Sequence, residues 1–277
     1  MKTKKHTVLK VLLIIILLIL ISIVTSLYFS KYGLKVEEYD LKYEKAEASF
    51  KIVQLSDLHS ASFGKDNGRL IEKVRGEKPD IICFTGDTVS STDVDFSVAT
   101  KLVGTLTEIA PVYVSLGNHE FKFGGDIRAV TRETGATLLD DSFTEFSSVK
   151  IGGLTSGFEG ARQGTFKKTP PPDTGFIKEF DGEPGFKILL CHHPEYYPRY
   201  LKNTGIDLIL SGHAHGGQWR FFGRGLYAPG QGIFPKYTSG LYDGRLVVSA
   251  GVGDSHSVPR INNDYEIIII EIKKEVG

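Results

Sequence analysis

SFKIVQLSDLH, residues 49–59, is the first of five similar units in this chain. Its first seven residues alternate between polar and apolar and then run apolar to Leu55, a pattern that predicts a buried β-strand. Asp57 and His59 follow directly after that strand. A carboxylate and an imidazole are both ligands that divalent metal ions take in proteins. The segment therefore predicts a strand whose carboxyl end carries metal-ligating side chains.

Four more short apolar runs, at 81–84, 112–116, 186–191 and 207–210, end in polar clusters of the same kind. The clusters that follow them are Gly86-Asp87, Gly117-Asn118-His119-Glu120, His192-His193 and Gly212-His213-Ala214-His215. Six of the eight histidines of the chain lie in the five clusters. One such cluster alone would be an ordinary turn as readily as a ligand set. Five clusters after five strands indicate one shared two-metal site.

The segments between the first strands have a helical period. Leu70, Ile71 and Val74 lie on one face of a helix predicted over 67–76, and a second apolar face runs through 95–109. Strands that alternate with helices over short connections form βαβ units, so these strands are predicted to be parallel. The carboxyl ends of parallel strands meet at one edge of a sheet, where open α/β sheets place their sites. We therefore expect the clusters to converge.

The first thirty residues differ in composition from the rest. Lys2, Lys4, Lys5 and Lys10 precede an uncharged apolar run over 11–29, which is long enough to cross a bilayer as a helix. Lysines before such a run favour a cytoplasmic N-terminus and an extracytoplasmic remainder at the cell membrane. A cleaved signal peptide is less favoured, because no good small-x-small cleavage site follows the run. A buried core helix is the third alternative.

The composition of the remaining chain fits one α/β domain. We expect a basic cytoplasmic N-terminus at 1–10, a transmembrane anchor at 11–29, a charged linker with at most one edge strand at 30–48, and the domain at 49–277. The 33 basic and 33 acidic residues balance, so charge gives no reason to expect nucleic acid as a partner. Cys83 and Cys191 lie in predicted strands and are interpreted as small buried hydrophobes, with a disulfide as the weaker alternative.

The order of the motifs resembles that of a known family. Asp-x-His, Gly-Asp, Gly-Asn-His-Glu, His and Gly-His-x-His, spread over about residues 50–255, resemble the complete signature of the calcineurin-like metallophosphoesterases. The segments 212–218, 227–230 and 234–237 are similar to a narrower branch, the bacterial membrane-anchored or exported phosphodiesterases related to UDP-2,3-diacylglucosamine pyrophosphatases. The resemblance implies a two-sheet α/β sandwich flanked by helices, with the site at one edge.

The resemblance also implies a role for each ligand. It assigns seven side chains to two divalent ions: Asp57, His59 and His215 to one, Asn118, His192 and His213 to the other, and Asp87 as a bridge. His119 would lie beside the substrate oxygens, where it would stabilise charge or protonate the leaving group. Oxygen and nitrogen ligands of this kind suit Mn, Fe, Zn, Ni or Mg.

Several neighbouring positions stay open. His193 has no role in the motif, and His192 is the favoured ligand because it comes first after the strand. Glu120 is expected to support the ligands rather than bind metal. Arg260 resembles a basic position of the narrower branch, although a surface role is an equal alternative. Residues 219–222, Trp-Arg-Phe-Phe, could form a lip that meets lipid or could pack the loop, and packing is favoured.

The expected activity is metal-dependent hydrolysis of a phosphoester, most plausibly a phosphodiester or a phosphoanhydride. A pair of divalent ions makes water nucleophilic and neutralises charge on phosphoryl oxygens, so no covalent enzyme intermediate is required. The anchor makes lipid-linked or cell-envelope substrates attractive. Two alternatives remain: a non-catalytic binding module, which need not keep every ligand, and an exported nuclease, which would want a basic groove. The sequence does not indicate the oligomeric state.

Overall fold

The computed structural model describes residues 2–90, 92–93, 95–122, 128–158, 169–254 and 258–275, without the side chains of residues 2–5 and 122. The α-helices within these ranges are α1 (Lys2–Tyr32), α2 (Gly68–Glu77), α3 (Ser97–Thr107), α4 (His119–Lys122), α5 (Arg128–Thr134) and α6 (Thr174–Gly182). The strands are β1 (Leu34–Tyr43), β2 (Phe50–Leu55), β3 (Ile81–Thr85), β4 (Val112–Ser115), β5 (Thr137–Leu139), β6 (Ser142–Phe146), β7 (Val149–Leu154), β8 (Phe186–Cys191), β9 (Leu208–Ser211), β10 (Arg220–Phe221), β11 (Arg224–Gly225), β12 (Tyr227–Ala228), β13 (Gly232–Ile233), β14 (Gly240–Tyr242), β15 (Leu246–Val248) and β16 (Tyr265–Lys274).

Two six-stranded sheets form the body of the domain. The first has the strand order β1-β16-β2-β3-β4-β5, and the second has the order β14-β15-β9-β8-β7-β6. Neighbours from β2 to β5 are parallel, as are neighbours from β7 through β8 and β9 to β15. The predicted parallel βαβ arrangement is therefore confirmed for the strands that precede the site.

Three layers of apolar side chains hold the sandwich together. Ile52, Ile81 and Ile188 belong to the core between the two sheets. The outer face of the first sheet packs on α2 and α3, and the outer face of the second packs on α6. Every residue of β3, β8 and β9 is buried, because both faces of these strands are covered. This is the two-sheet α/β sandwich flanked by helices that was predicted.

The strand ends lie together, as the pattern predicts. Thr85 at the end of β3 is paired with Ser115 at the end of β4, and Leu55 at the end of β2 is paired with Phe84. Gln54 connects the two sheets at this edge, because its Nε2 donates to Ser211 O at 2.9 Å and to Thr85 Oγ1 at 3.1 Å. The residues that follow these strands therefore emerge into one small region.

The N-terminal helix lies outside the core. The most apolar 18-residue window of the span His6–Tyr32 has a mean hydropathy of 3.2, and none of that window is buried against the domain. The alternative of a buried core helix is thus wrong. By length and composition the helix can cross a membrane.

The predicted linker contains a complete strand. All ten residues of β1 pair in parallel with β16, so β1 forms one edge of the first sheet. Leu34 and Leu41 are buried in this position. The sheet of the domain therefore extends back to Leu34, directly after the helix.

Both cysteines are free and buried, as the preferred interpretation has it. Cys83 packs in the core between the sheets, and Cys191 packs in the outer layer beside α6. The predicted helices are also present, although α3 is shorter at both ends than the range 95–109.

Candidate metal centre

All five polar clusters meet at the edge where the strands end. Of the eight predicted site residues, seven are buried and His119 is half-buried. No charged group is stable in such a place unless it is paired or bound to metal. The distances between these side chains therefore decide whether they can hold a metal.

The first group joins the loop after β2 to the loop after β9. His59 Nε2 and His215 Nε2 face each other at 3.3 Å. Asp57 Oδ1 lies 3.9 Å from the former nitrogen and 3.5 Å from the latter. Asp57, His59 and His215 can therefore offer ligand atoms to one ion.

The second group lies next to the first and shares a boundary with it. Asp87, His192 and His213 have ligand atoms close enough to hold one ion. His192 Nε2 lies 3.2 Å from Asp87 Oδ2, and His59 Nε2 of the first group lies 3.7 Å from the same oxygen. Asp87 therefore faces both groups, which is the position a bridging carboxylate needs.

Asn118 gives a separate test of whether the site fits a metal. Its side chain is buried, and within the described chain its Oδ1 has no hydrogen-bond partner. An amide oxygen buried without a partner costs free energy on the order of 1–3 kcal/mol unless something else binds it. A carbonyl-type oxygen is a ligand for hard and borderline cations. The donor set and this orphaned oxygen both fit a metal.

His119 begins α4 at the mouth of the site. Its backbone N–H donates to Asp87 Oδ1 at 2.8 Å, and its ring lies edge-on to that of His59 with centroids 4.5 Å apart. The side chain is only half-buried. His119 is thus fixed beside the two groups while part of its ring is open to solvent.

The structure separates the two adjacent histidines. His192 faces Asp87, and its Nδ1 donates to the carbonyl of Thr85 at 2.8 Å, which leaves the lone pair of Nε2 directed into the site. His193 lies on the other side, with Nε2 2.7 Å from Ser156 Oγ and Nδ1 3.3 Å from a carboxylate oxygen of Glu195. The favoured choice of His192 as the ligand therefore agrees with the geometry.

Glu195 is a residue that the sequence analysis missed. Its Oε1 lies 3.7 Å from His213 Nε2 as well as near His193, so these three residues form another group that could hold a metal. The carboxylate follows His193 by two residues, but the short helical turn Pro194–Tyr196 is needed to bring it back. The position of Glu195 beside two rings was therefore not visible in the spacing.

Burial and mutual charge shift the pKa values of these groups in opposite directions. Burial raises the pKa of Asp57 to about 6. Burial also opposes the charge of Asp87, but the imidazoles of His192 and His119 outweigh it and lower the pKa of Asp87 well below its usual range. The pKa of His192 is raised to about 10, because the attraction of Asp87 exceeds the cost of burial. A divalent ion needs the neutral ring, so metal would compete with this proton.

His213, the other histidine of the second group, has a net pKa shift opposite to that of His192. Burial lowers the pKa of His213 well below the usual range, and neighbouring His193 lowers it further. His213 is therefore held neutral, which is the form of imidazole that binds metal.

Backbone strain is concentrated in the same loops. Asp57, His59, Asp87, His213 and His215 all have φ between 46° and 63°. Residues other than glycine rarely adopt this left-handed conformation, and they do so mainly where a functional site requires it. The strain turns side chains from different strands toward a common point.

Glycine allows the loops to approach each other. A Cβ at Gly117 would collide with Asp87 Oδ1 and would lie 2.6 Å from the backbone nitrogen of Asp87. A Cβ at Gly212 would collide with Ser56 Oγ and Asp57 Oδ2. Only glycine fits at these two points.

Glu120 holds two of the ligand loops together. Its carboxylate accepts hydrogen bonds from the backbone N–H groups of Asp87 at 3.1 Å, Thr88 at 2.6 Å and Gly117 at 2.8 Å. Both of its oxygens are thereby used, although burial raises its pKa to about 7. Its expected supporting role agrees with these contacts.

Arg260 is buried, so the alternative of a surface role is wrong. Its guanidinium donates to Gly253 O, lies 3.1 Å from His215 Nδ1 and stacks 4.7 Å from the ring centre of Tyr265. It contacts the back of a predicted ligand rather than solvent. Its charge is therefore placed close to the site.

The comparison with known proteins agrees with this geometry. The profile of the calcineurin-like phosphoesterases matches residues 50–217, a range that contains all eight predicted site residues. The chain belongs to the calcineurin-like phosphoesterase family. Within that family, the narrower branch related to UDP-2,3-diacylglucosamine pyrophosphatases stays a prediction for this chain.

Several bacterial relatives align with most of this chain. A protein of Aquifex aeolicus named as an uncharacterized metallophosphoesterase is 28% identical over 255 residues, which are 89% of this chain and 94% of the relative. Phosphodiesterase YaeI of Escherichia coli is 28% identical over 246 residues, which cover 81% of this chain and 83% of the relative. YpbG of Bacillus subtilis is 25% identical over 254 residues, which cover 91% of this chain and 92% of the relative.

Solved structures resemble this chain more distantly. The sulfate thiohydrolase SoxB of Thermus thermophilus aligns with a TM-score of 0.48 at 11% identity, over 82% of this chain and 57% of that one. GAP50 of Plasmodium aligns with a TM-score of 0.44 at 12% identity, over 82% of both chains.

The segment 219–222 beside the centre differs from the expectation of loop packing. Trp219 is half-buried, and its Nε1 donates to Pro259 O at 2.9 Å. Phe221 is 47% exposed, however, and Phe222 is completely exposed. The packing prediction is therefore right for the tryptophan and wrong for the two phenylalanines.

Proposed function

We propose that this protein is a hydrolase that uses two divalent metal ions to cleave phosphodiester or phosphoanhydride bonds. The single observation that supports this most strongly is the pair of adjacent ligand groups that share Asp87. A carboxylate has two oxygens and a negative charge, so it can serve two neighbouring cations at once. One isolated group would support only a structural metal.

The ligand sets that we propose follow from the two groups. Asp57, His59 and His215 would hold one ion, and His192, His213 and the orphaned oxygen of Asn118 would hold the other. When bound, two such ions supply Lewis acidity that activates water and neutralises charge on phosphoryl oxygens. Mn, Fe, Zn, Ni and Mg are all compatible with these ligands, and manganese is the ion we would test first.

His119 is the proposed catalytic residue of the chain itself. His119 is only partly buried, and its backbone N–H donates to Asp87, which is consistent with contact between its ring and a substrate oxygen. From that position a protonated imidazole stabilises developing negative charge or gives a proton to the leaving group. The remaining rings are buried and turned inward.

The organisation of the whole chain is also a proposal. A basic segment at 1–10 would remain in the cytoplasm and the run at 11–29 would anchor the chain. The segment 30–48 would contribute its strand β1 to the sheet of the domain that continues through 49–277. Lysines on the amino side of the anchor favour a catalytic domain outside the cell membrane. That arrangement makes substrates of the cell envelope, including lipid-linked ones, the first to test.

Two other functions have less support. A non-catalytic binding module of this fold would not need complete ligand groups and a half-exposed His119. An exported nuclease would need a basic groove, whereas the chain has no net charge. We therefore do not expect nucleic acid as a partner.

The test compares full-length variants on bis(4-nitrophenyl) phosphate with added Mn²⁺. Asp87→Ala or Asn118→Ala should reduce kcat/KM by about 100-fold or more, since each removes several kcal/mol of charge stabilisation. Glu179→Ala, an exposed carboxylate on α6, is the matched control and should keep its activity. Turnover by folded Asp87→Ala protein at the rate of the unaltered chain would refute the proposed site.

A further inference from the structure

An apolar groove begins beside the proposed metal centre. It has a volume of about 320 Å³ and is lined by Trp219, Leu226, Tyr227 and Val258, with His215 among its lining residues. This volume lies in the range of ordinary small-molecule sites, which are apolar with a few polar groups at one point. The polar point of this groove is a predicted metal ligand.

Two hairpins continue the apolar surface outward from the groove. β10 pairs with β11, and β12 pairs with β13. They carry the most exposed large apolar side chains of the described domain, which we call the apolar lip: Phe221 (47% exposed), Phe222 (completely exposed), Ile233 and Phe234 (72% each). A cluster of exposed apolar side chains marks a contact surface for a partner or a membrane.

The lip is connected to the base of the N-terminal helix. The backbone N–H of Asn262 donates to Ser26 Oγ at 2.7 Å, and that of Asn263 donates to Ser30 Oγ at 3.1 Å. The first hairpin is bound to the same segment, residues 258–263, because the backbone N–H of Arg220 donates to Ile261 O at 2.9 Å. A membrane that surrounds α1 would therefore lie beside the lip.

The segment 258–263 also forms part of the groove. Val258 lines the groove, and Gln218 Nε2 donates to the carbonyl of Val258. Trp219 is fixed in the wall by its bond to Pro259 O. One continuous segment, 258–263, thus connects the groove, the lip and the membrane helix.

We propose that this groove binds the hydrocarbon chain of an amphiphilic phosphoester that enters from the membrane past the apolar lip. The inference rests on the proposed function and adds the substrate class to it. The phosphoryl group would lie at the His215 end of the groove, and the chain would lie along Trp219, Leu226 and Val258. No covalent step beyond the proposed hydrolysis is involved.

The first experiment compares two substrates that differ only in their chain. Full-length protein in lipid nanodiscs with Mn²⁺ is given 4-nitrophenyl methyl phosphate and 4-nitrophenyl dodecyl phosphate, which release the same nitrophenolate. Each buried methylene strengthens binding by about fourfold. The ratio of kcat/KM, dodecyl over methyl, should therefore exceed about 10 in the unaltered protein.

Variants of the groove test whether the groove causes the preference for the dodecyl substrate. Val258→Asp alters an exposed loop position and should lower the ratio by about tenfold, and Leu226→Asn should act in the same direction. Val98→Asp, an equally exposed apolar position on α3, is the matched control and should keep the ratio. Because the dodecyl substrate partitions equally into all nanodiscs, a ratio that is the same in all four proteins would overturn the inference.

The second experiment measures occupancy without turnover. Trp219 is the only tryptophan of the chain, so its fluorescence reports on the groove alone. A dibrominated alkyl phosphate in the nanodisc should quench it with saturation at low mole fraction, in EDTA as well as with metal. Val258→Asp should lose the saturable part.

The two proposals fail in different ways. Quenching that rises only in proportion to the brominated lipid, equally in the unaltered protein and in Val258→Asp, would overturn the groove. Absence of hydrolysis of either substrate, with saturable quenching intact, would contradict the proposed function and leave the groove standing.

Discussion

At the scale of single residues, the centre depends on carboxylates that hold the ligand loops together. Asp57 accepts from the backbone N–H of His213 at 3.0 Å, which ties the loop after β2 to the loop after β9. Glu120 does the same for the loops after β3 and β4 through three backbone donors. A buried carboxylate that accepts several N–H groups fixes loop geometry as well as charge. These two residues therefore position the ligands.

Glu120→Gln tests this role. The amide presents a donor where the carboxylate accepts, so one backbone N–H loses its partner, and we expect the free energy of unfolding to fall by about 2–3 kcal/mol. Urea denaturation of the full-length protein in EDTA measures the loss. Glu108→Gln, an exposed carboxylate at the end of α3, should change stability by less than about 0.5 kcal/mol. Equal stability of the two variants would contradict the supporting role of Glu120.

At the scale of elements, the edge strand β1 decides where the folded domain begins. The pairing of β1 with β16 covers a strand that would otherwise expose its backbone, and it buries Leu34 and Leu41. An uncovered, strongly apolar edge promotes aggregation. The sequence of 30–48 is mostly charged and does not predict this strand clearly, because an edge strand has few buried residues and therefore a weak apolar pattern.

Two truncations distinguish the boundaries. A chain that begins at Gly33 keeps β1 and should fold with metal-stimulated activity. A chain that begins at Ser49 loses the burial of two leucines, or about 3–6 kcal/mol of stability, and should aggregate or unfold at a clearly lower temperature. Circular dichroism during heating compares them. If both chains melted at the same temperature, β1 would be dispensable.

At the scale of the whole molecule, the centre lies where the two sheets meet, so metal binding should stabilise the entire sandwich. Its proposed ligands come from five loops of both sheets, and an ion would be bound only when those loops are assembled. Ligand binding to the folded state raises stability by about 4 kcal/mol when the ligand is present at a thousand times its Kd.

Removal and restoration of metal test that coupling. Protein treated with EDTA should melt at a lower temperature than protein given excess Mn²⁺, as measured by scanning fluorimetry. Asp87→Ala, which removes the shared ligand, should have a much smaller difference between the two conditions. A shift of full size in Asp87→Ala would mean that the ion stabilises the fold from somewhere else.

The choice between His192 and His193 as the ligand can be predicted only in part from the sequence. Successive side chains of a strand point to opposite faces. Ile188 and Leu190 face the other sheet, so His192 continues their row toward Asp87, whereas His193 continues the row of Leu189 and Cys191 into the outer layer. The alternation is visible in the sequence, but which row faces the partner sheet is not.

The sequence by itself determined the strand order along the chain, the ligand types and the family, because ligand identity and apolar periodicity are local properties of adjacent residues. Only the tertiary structure decided the pairing of β1 with β16, the buried position of Arg260, the approach of Glu195 to His213 and the exposure of Phe222. Each of these depends on contacts between segments far apart in the chain, whose geometry is set by the packing of two sheets rather than by neighbouring residues.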